Sequence, residues 1–546
     1  MEPILVDPWY RRATLYHIYP LSFADSNGDG FGDIRGIIDH LDYLNSAKAD
    51  SLGVTAVWLS PIYLSPMADW GYDVANHTAV DPRFGTMADF DELLNKLHRR
   101  GMKLLMDFVP NHTSILHEWF TESRSGRSSP KRDWYIWAAP GPDGGLPNNW
   151  LSYFGGPAWT LDATSGQYYL HTFLPEQPDL NWRNPKVREA MLNVLRFWLD
   201  KGVDGFRTDA VLGLIKDDQL RDDLPNPAYK VGVSDPADEL LRVHSSGQVE
   251  LGGIIGSFCD VLAEKESTFL LSEAYLNVPG MQQMYAACQR HPVHAPFNFN
   301  LMGLEWSAKI FRDFIDEYEK SLGPEDWPNY VLGNHDRHRL ASRIGSERAR
   351  LMALLQMTLR GLPVVYYGEE LGLPDTPIRP TEIRDPWTVR VTKWAFGRDT
   401  ARTPMPWTGE NGAGFTTGKP WLPIGPTAAS GLNVRSEQRD SQSSLHLYQH
   451  LIHLRAQSPS LIEGDYRSIE TGNGYVYGYV RETERQRFLV LLNFDSKLAL
   501  AVLRGRVGRW VAGTHLVEGD GRMAEAGELE LEAYEGRVYE LTGREI

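Results

Sequence analysis

Residues 103–112 read KLLMDFVPNH, an apolar run that ends at the carboxylate of Asp107. Three later segments repeat this arrangement of an apolar run and a carboxylate, namely GFRTDA (205–210), LLSEAY (270–275) and LGNHD (332–336). A single Asp after a strand is usually a turn residue or a helix cap. Acids at four strand ends instead favour a closed parallel barrel, because its strand ends converge on the face that performs chemistry.

The alternation of β-rich and helical stretches extends this prediction over most of the chain, to about residue 370. Met87–Arg100 and Pro185–Lys201 carry apolar residues at helical spacing, and strands lie between such stretches. Eight strands alternating with helices predict an α/β protein with a (β/α)8 TIM barrel. The predicted strands are His17–Phe23, Val54–Pro61, Lys103–Pro110, Gly205–Val211, Phe269–Tyr275, Pro296–Asn300, Tyr330–Gly333 and Pro363–Tyr367.

Two connections are too long for ordinary loops in a compact domain. Residues 111–181 are rich in Gly, Pro, Trp and Tyr and predict an inserted subdomain after strand 3, while residues 371–431 form an irregular insertion after strand 8. Residues 469–546 show short alternating runs broken by Gly and Asp, which predict an antiparallel β-sandwich. The barrel is then expected in two parts, 1–110 and 182–468.

Composition and charge narrow the class of partner. The 546 residues carry a formal net charge of −16, which disfavours nucleic acid and anionic membranes as partners. Two cysteines, Cys259 and Cys288, do not make a disulfide framework in so long a chain. The N-terminus lacks an apolar signal core, and no apolar run reaches membrane-spanning length. We therefore expect a cytoplasmic protein that acts on a small molecule.

Two of the segments carry acids that need opposite protonation states, one ionised and one protonated. Arg207 and Asp209 lie two apart on a strand, so their side chains face the same way and the guanidinium keeps Asp209 ionised for nucleophilic attack. Glu273 follows the apolar run FLLS, and partial burial would keep it protonated as a general acid. Each segment alone fits a structural ion pair or a buried structural Glu. Together they form the acid pair that a glycosidase uses.

Polar pairs follow two of the strands. His335 and Asp336 end the segment LGNHD, and such a pair can hold vicinal hydroxyls by charge-assisted hydrogen bonds. Asn111 and His112 offer a matching pair after the third strand. Turn chemistry explains most isolated pairs of this kind.

The four segments, in this order, resemble the motifs of glycoside hydrolase family 13, the α-amylase family. Residues 177–181 (QPDLN) resemble a fifth motif in the form found in its oligo-1,6-glucosidase and α-glucosidase branch. The resemblance implies a retaining double displacement in which Asp209 is the nucleophile and Glu273 the general acid/base. Asp336 would bind the secondary hydroxyls of the sugar and stabilise the distorted transition state. The two reacting carboxyls are expected to stand roughly 5 Å apart.

The same resemblance implies a pocket for one terminal glucose. Asp69, in the segment DWGY, and Arg402, in ARTPMPW, would pair at the closed end of the pocket and bind the 4-hydroxyl. A blocked pocket favours release of terminal glucose over internal cleavage. The further residues implied in substrate binding are Tyr72, stacked on the sugar ring, Phe173, lining it, and His112, Gln177, Arg207 and His335, with Asp107 in support.

Linkage preference is expected to depend on the residue after the nucleophile. In the branch that this chain resembles, Val there tends to accompany α-1,6 activity, and smaller residues tend to accompany α-1,4 activity. Ala210 therefore predicts an exo-acting α-1,4-glucosidase for maltose and malto-oligosaccharides. The alternatives are an oligo-1,6-glucosidase, a transglucosylase, a trehalose synthase and, from a different class, a non-enzymatic sugar-binding homologue.

A loop near the N-terminus predicts a metal site. Residues 25–33 read DSNGDGFGD and place oxygen donors at alternate positions, an arrangement of hard ligands and glycines that suits Ca²⁺, with Mg²⁺ as the alternative. The loop is not an EF-hand, because Gly36 stands where the bidentate Glu belongs. The predicted ligands are Asp25, Asn27, Asp29, the Phe31 carbonyl and Asp33. The resemblance implies a structural ion remote from catalysis and no organic cofactor.

Overall fold

The computed structural model of the protein describes residues 8–541, except residues 47, 49, 232–233, 392–396, 504–507 and 526. Eight of its strands pair in parallel within one sheet. In chain order they are β1 (Leu15–Ile18), β2 (Ala56–Leu59), β3 (Lys103–Phe108), β4 (Gly205–Thr208), β5 (Phe269–Ser272), β6 (His294–Pro296), β7 (Asn329–Val331) and β8 (Leu362–Tyr366). Their spatial order, β6-β5-β4-β3-β2-β1-β8-β7, is the cyclic order of a (β/α)8 barrel and confirms that prediction.

Two asparagines join the sheet across the gap between β6 and β7. The backbone N–H of Asn298 donates to Oδ1 of Asn329 at 2.9 Å. Nδ2 of Asn329 donates to the carbonyl of Pro296 at 2.6 Å, and the N–H of Val331 donates to the carbonyl of Asn298 at 3.3 Å. These bonds satisfy backbone groups that an open sheet edge would leave unpaired.

Two of the eight strands lie earlier than predicted. The predicted first strand, His17–Phe23, overlaps β1 only at His17 and Ile18, because Pro20 begins a short helix at Pro20–Phe23. The predicted sixth strand, Pro296–Asn300, shares only Pro296 with β6. The apolar residues that suggested this strand follow it, because β6 is polar at His294, whose ring contacts the Ser272 hydroxyl of β5.

Helices cover the barrel where the sequence placed them. The predicted helix at 87–100 is Met87–Arg99, which begins with a capping box between Thr86 and Asp89, and the one at 185–201 is Pro185–Asp200, capped by Asn184. The α-helices are Trp9–Arg12, Pro20–Phe23, Ile34–Asp39, Leu41–Leu44, Met87–Arg99, Glu118–Arg124, Pro185–Asp200, Leu251–Leu262, Val278–Ala286, Ala308–Ser321, Leu340–Ile344, Ser346–Thr358, Pro386–Arg390, Val434–Glu437, Ser444–Ala456 and Pro459–Ile462. Within the described residues, none of the helices is long and apolar enough to cross a membrane.

The insertion after β3 is fixed to the barrel by a buried ion pair. Its three-stranded antiparallel sheet is formed by Trp137–Ala138, Trp159–Asp162 and Gln167–Leu170. Asp179 of this insertion accepts from Nζ of Lys216 at 2.7 Å, and both side chains are almost completely buried. The insertion therefore lies against the barrel where the chain continues from β4.

The C-terminal residues form two antiparallel sheets with a hydrophobic core of their own. The sheets contain β9 (Asp465–Ile469), β10 (Val476–Glu482), β11 (Arg487–Asn493), β12 (Ala499–Leu503), β13 (Gly508–Gly513), β14 (Gly527–Leu531) and β15 (Gly536–Leu541). The larger sheet has the order β9-β10-β11-β15-β13, and β12 pairs with β14. The antiparallel sheets at this end of the chain agree with the predicted fold class.

The two cysteines are joined to each other. Cys259 and Cys288 form a disulfide with their Cα atoms 6.0 Å apart, and the bond links the helix Leu251–Leu262 to the chain just after the helix Val278–Ala286. The segment that it encloses contains β5. One bond of this kind is a local cross-link and not a framework.

Candidate active site

The four acids of the strand-end segments meet at one end of the barrel. Asp107 is the penultimate residue of β3, and Asp209, Glu273 and Asp336 follow β4, β5 and β7. A cavity of about 420 Å³ opens at this end, and Asp209, Glu273 and Asp336 line it. Carboxylates at successive strand ends therefore share one site, as the barrel topology requires.

Arg207 connects three of these carboxyls. Its Nη1 donates to Oδ1 of Asp107 at 2.8 Å and to Oδ1 of Asp209 at 2.7 Å. Its Nη2 lies 2.8 Å from Oε2 of Glu273. The guanidinium is buried, so its charge acts on all three acids with little screening by water. Arg207 contacts Asp209, as expected, and also Glu273, because β4 and β5 are neighbours and present both acids to it.

Asp107 is held from its other side by two aromatic donors. The Tyr72 hydroxyl donates to Oδ2 of Asp107 at 3.0 Å, and Nε1 of Trp58 donates to the same oxygen at 3.2 Å. Because both oxygens of Asp107 are occupied and the side chain is buried, this acid positions Arg207 and Tyr72.

Burial makes the reacting acids hold protons at unusually high pH. Loss of hydration raises the pKa of both Asp209 and Glu273 to about 7, and the nearby charge of Arg207 only partly offsets this. Repulsion between the two carboxylates raises the pKa of Glu273 further. The pair therefore titrates as a unit in which one proton is retained near neutral pH.

The pKa of Asp336 is shifted in the opposite direction. Arg402 donates from Nη2 to its Oδ1 at 2.8 Å, and Nη1 of Arg398 donates to the same oxygen at 3.2 Å. Nε2 of His335 lies 3.4 Å from Oδ2. These neighbours overcome the effect of burial and hold the pKa of Asp336 well below its usual range. Asp336 is therefore a permanent anion in the cavity wall.

The partner predicted for Asp69 is wrong. Asp69 pairs with Arg398, whose Nη2 lies 2.8 Å from its Oδ1, and not with Arg402. Arg402 donates instead to Asp336 and, from Nε, to the His335 carbonyl at 2.8 Å. A 3-10 helix at Arg398–Ala401 turns both arginines inward, one turn apart. Sequence reasoning noticed the motif around Arg402 and overlooked the arginine just before it.

Asp385 fixes Arg398 and was also overlooked. It accepts from Nε of Arg398 at 3.0 Å and from Nη2 at 2.7 Å, and both side chains are buried. This two-point contact orients the remaining guanidinium face towards Asp69 and Asp336. The only sequence signal was an Asp before a Pro in an irregular stretch, which reads as a helix cap, and Asp385 is one as well.

The other predicted residues divide into those that line the cavity and those behind it. Tyr72, His112, Phe173 and His335 line it together with Asp69. Arg207, Gln177 and Arg402 are completely buried and do not. Gln177 donates from Nε2 to Oδ2 of Asp69 at 3.3 Å and contacts the ring of His112, so it acts through those two residues.

Ala210, directly after Asp209, has a left-handed backbone with φ 45° and ψ 41°. Residues with a Cβ rarely adopt this conformation, and such strain often occurs at functional sites. Here the conformation directs the N–H of Ala210 towards Oε2 of Glu273 at 3.1 Å. The residue that predicts linkage preference thus also supports the acid.

The rest of the cavity lining is largely aromatic and was not predicted. It includes Tyr153, Phe154, Tyr275 and Trp387. These residues come from the insertion, from the loop after β5 and from the irregular stretch after β8. Nothing in their local sequence distinguishes them from the many other aromatic residues of the chain.

The predicted metal ligands form a regular loop outside this cavity. Oδ1 of each of Asp25, Asn27 and Asp29 accepts the N–H of the residue two positions later, at 2.8–3.0 Å. Asp33 accepts from Ser26 and caps the following helix through the N–H of Gly36. Among the described residues, no three His, Cys, Asp or Glu side chains lie close enough together to hold an ion by themselves. A cation here would also need the oxygens of Asn27 and Phe31.

The chain is similar in sequence to known proteins over most of its length. The family model described as the α-amylase catalytic domain matches residues 17–464. The chain belongs to the α-amylase family. An oligo-1,6-glucosidase from Parageobacillus thermoglucosidasius is 37% identical over 98% of this chain and 99% of that protein. An α-glucosidase from Culex pipiens is 40% identical over 90% of this chain and 82% of that protein.

Solved structures of the α-amylase family superpose on nearly the whole chain. An α-glucosyl transfer enzyme gives a TM-score of 0.90 at 38% identity, covering 98% of this chain and 100% of that chain. The trehalulose synthase of Pseudomonas mesoacidophila MX-45 gives 0.86 at 32% identity with the same coverage. The resemblance inferred from the strand-end segments is therefore confirmed at the level of the family.

The shared proton of Asp209 and Glu273 predicts the alkaline limit of activity. Both pKa values are raised to about 7, so the proton is present below that pH and is lost as the pH rises through it. We expect kcat/KM for 4-nitrophenyl α-glucoside to fall above about pH 7. In Glu273→Gln, which has no proton to lose there, the residual release of nitrophenol should lack this fall. An unchanged alkaline limb in that variant would assign the titration to another group.

Proposed function

We propose that this α-amylase family member is an exo-acting, retaining α-glucosidase that releases terminal glucose from short α-glucosides. The observation that carries the proposal is the placement of Asp209 and Glu273 on one buried guanidinium, at the wall of a cavity closed by Asp69 and Arg398. Because both carboxyls contact terminal nitrogens of the same guanidinium, they lie near each other, which favours attack by one of them over the insertion of a water between them.

In the first step Asp209 attacks the anomeric carbon and the bond to the leaving oxygen breaks. Glu273 gives its proton to that oxygen, which leaves as a hydroxyl, and a glucosyl ester on Asp209 remains. The proton is assigned to Glu273 because the family motifs place the nucleophile at Asp209; burial and repulsion from neighbouring acids raise the pKa of both groups alike. The charge of Arg207 stabilises the carboxylate form of Asp209 before attack.

In the second step Glu273 takes a proton from water, and the hydroxyl attacks the anomeric carbon from the opposite face. The bond from that carbon to Asp209 breaks, which releases Asp209 as a carboxylate. Two inversions leave glucose with its original α configuration. Asp336 is an anion throughout, so it can accept hydrogen bonds from secondary hydroxyls and favour the positive charge that develops on the sugar ring. His335 and His112, whose pKa values are lowered by burial, are neutral at these positions.

The closed end of the cavity supports the exo mode. The pair of Asp69 and Arg398, braced by Asp385, occupies the space that a further sugar would need. Ala210 supports an α-1,4 preference, although the relative from Parageobacillus is named an oligo-1,6-glucosidase. One methyl-scale difference gives only modest discrimination, so activity on both linkages is expected with maltose preferred.

Initial rates of glucose release test this proposal. Maltose should be cleaved faster than isomaltose, trehalose and sucrose, and maltotriose should release glucose one unit at a time. Asp209→Asn, which removes the nucleophile and nearly conserves shape, should lower the rates by several orders of magnitude. Faster cleavage of isomaltose would make the protein an oligo-1,6-glucosidase. Disaccharide exchange without glucose release would replace hydrolysis by glucosyl transfer.

The stereochemistry of azide products tests the two roles separately. In Asp209→Gly, azide should enter the vacated space and displace nitrophenol from 4-nitrophenyl α-glucoside, which gives β-glucosyl azide. In Glu273→Gly, the ester on Asp209 should still form, and azide should open it to give α-glucosyl azide. Formation of the same anomer in both variants would contradict the assignment, and wild-type protein with azide is the control.

We also propose that the loop of residues 25–33 binds a structural Ca²⁺. The support is its donor set, because hard carboxylate, amide and carbonyl oxygens recur at every second position around a turn. Within the described part of the chain, Asp25, Asp29 and Asp33 have no ion-pair partner, so a cation would offset their mutual repulsion. The ion would join residues 25–33 to the segment around Thr416, whose hydroxyl donates to Asp25.

Removal of metal tests this loop. Chelation should lower the melting temperature by several degrees, and Ca²⁺ should restore it, because a ligand that binds only the folded state stabilises it. Asp29→Asn should weaken the response to Ca²⁺ while the active site remains intact. Equal melting temperatures with chelator and with Ca²⁺ would overturn the proposal.

A further inference from the structure

Arg337 is the exposed cation at the mouth of the cavity. It directly follows Asp336 in the chain and lines the same cavity. Its guanidinium carbon lies 4.9 Å from the centre of the Tyr275 ring, and Tyr275 in turn stacks on Phe299 with ring centres 4.5 Å apart. The guanidinium is thus held over a fixed aromatic surface instead of moving freely in solvent.

The other arginines of the site are neutralised by carboxylates. Arg207, Arg398 and Arg402 each contact at least one Asp or Glu. In the described part of the chain, Arg337 forms no ion pair. Asp336 and Glu273 act on its charge from a longer distance, without a direct ion pair. The guanidinium can therefore contact a carboxylate or phosphate of a bound molecule, because its N–H groups match two oxygens at once.

Two partly exposed tyrosines line the same cavity as Arg337. Tyr275 is 44% exposed and lies two residues after Glu273, and its ring is in contact with both Phe299 and Arg337. Tyr153 is 37% exposed, and its ring contacts Arg242, with the guanidinium carbon 3.7 Å from the ring centre, and stacks on Phe173 with ring centres 5.5 Å apart. Arg242 uses its own N–H groups on the carbonyls of Leu151 and Ala237. Two fixed tyrosines with one unpaired cation therefore border the space beyond Glu273.

This space receives the group on the far side of the scissile bond. In the proposed function, glucose binds at the end formed by Asp69 and Arg398, and Glu273 protonates the leaving oxygen. The leaving group must then extend towards Tyr275 and Arg337. The same space receives an acceptor hydroxyl in the reverse step.

We propose that Arg337 makes this site selective for a leaving group or acceptor that carries an anionic substituent, with Tyr275 and Tyr153 as aromatic walls of the same cavity. The inference rests on the proposed function for the direction in which substrate binds. It assigns specificity to Arg337 beyond the glucose pocket and predicts that aromatic or sugar acids are preferred to their neutral counterparts.

Binding to a catalytically silent background tests the inference without turnover. In Asp209→Asn protein, calorimetry should give a Kd for 4-carboxyphenyl α-glucoside about five- to tenfold lower than for its methyl ester, the gain of one partly exposed charge-assisted contact. Adding Arg337→Gln should remove this preference, and Arg337→Lys should keep part of it. Arg522→Gln, an exposed arginine of the C-terminal sheets, is the matched control and should keep it fully.

Salt dependence provides a second readout that needs no substitution. The preference for the carboxylate should shrink as ionic strength rises, because solvent screens an exposed charge pair. Equal Kd values for acid and ester, or a preference that survives in Arg337→Gln, would overturn the inference. Hydrolysis of 4-nitrophenyl α-glucoside is measured alongside. Its absence would contradict the proposed function, while its presence without acid preference would contradict only the role of Arg337.

Discussion

The site depends on one buried positive charge shared among three acids. Arg207 contacts Asp107, Asp209 and Glu273, so a single guanidinium sets both the positions and the protonation of the groups that react. Without it, three carboxyls in a dehydrated space could not remain close and partly ionised. The barrel makes the arrangement possible because β3, β4 and β5 are neighbours that each contribute one acid.

A second group of arginines performs a different task at the closed end. Arg398 and Arg402 lie one turn apart and are both directed at Asp336, while Asp385 fixes the first of them. They keep Asp336 anionic, whereas the acids around Arg207 retain a proton. One cavity therefore contains both an acid that stays ionised and a pair that retains a proton. The difference arises because two arginines contact Asp336, whereas three acids share Arg207.

Sequence reasoning predicted the strand ends and helices, which depend on the local pattern of residues. It failed for contacts between residues that are distant in the sequence. The strand ends were readable because each acid follows an apolar run, and two helices were readable from their period and caps. Sequence reasoning did not find that Asp69 pairs with Arg398, since two arginines on one short 3-10 helix are equally plausible partners. The aromatic lining of the cavity and the sharing of Arg207 depend on which strands and loops become neighbours in space. A motif alone does not supply this information.

The left-handed backbone of Ala210 has an evolutionary consequence. Substitutions at this position act on two properties at once, because a larger or branched side chain changes the cavity wall and also increases backbone strain beside the nucleophile. Glycine would relieve the strain and loosen the turn that orients the N–H towards Glu273. A lineage that alters its linkage preference at this residue must therefore acquire compensating stability elsewhere, which makes the order of its mutations matter.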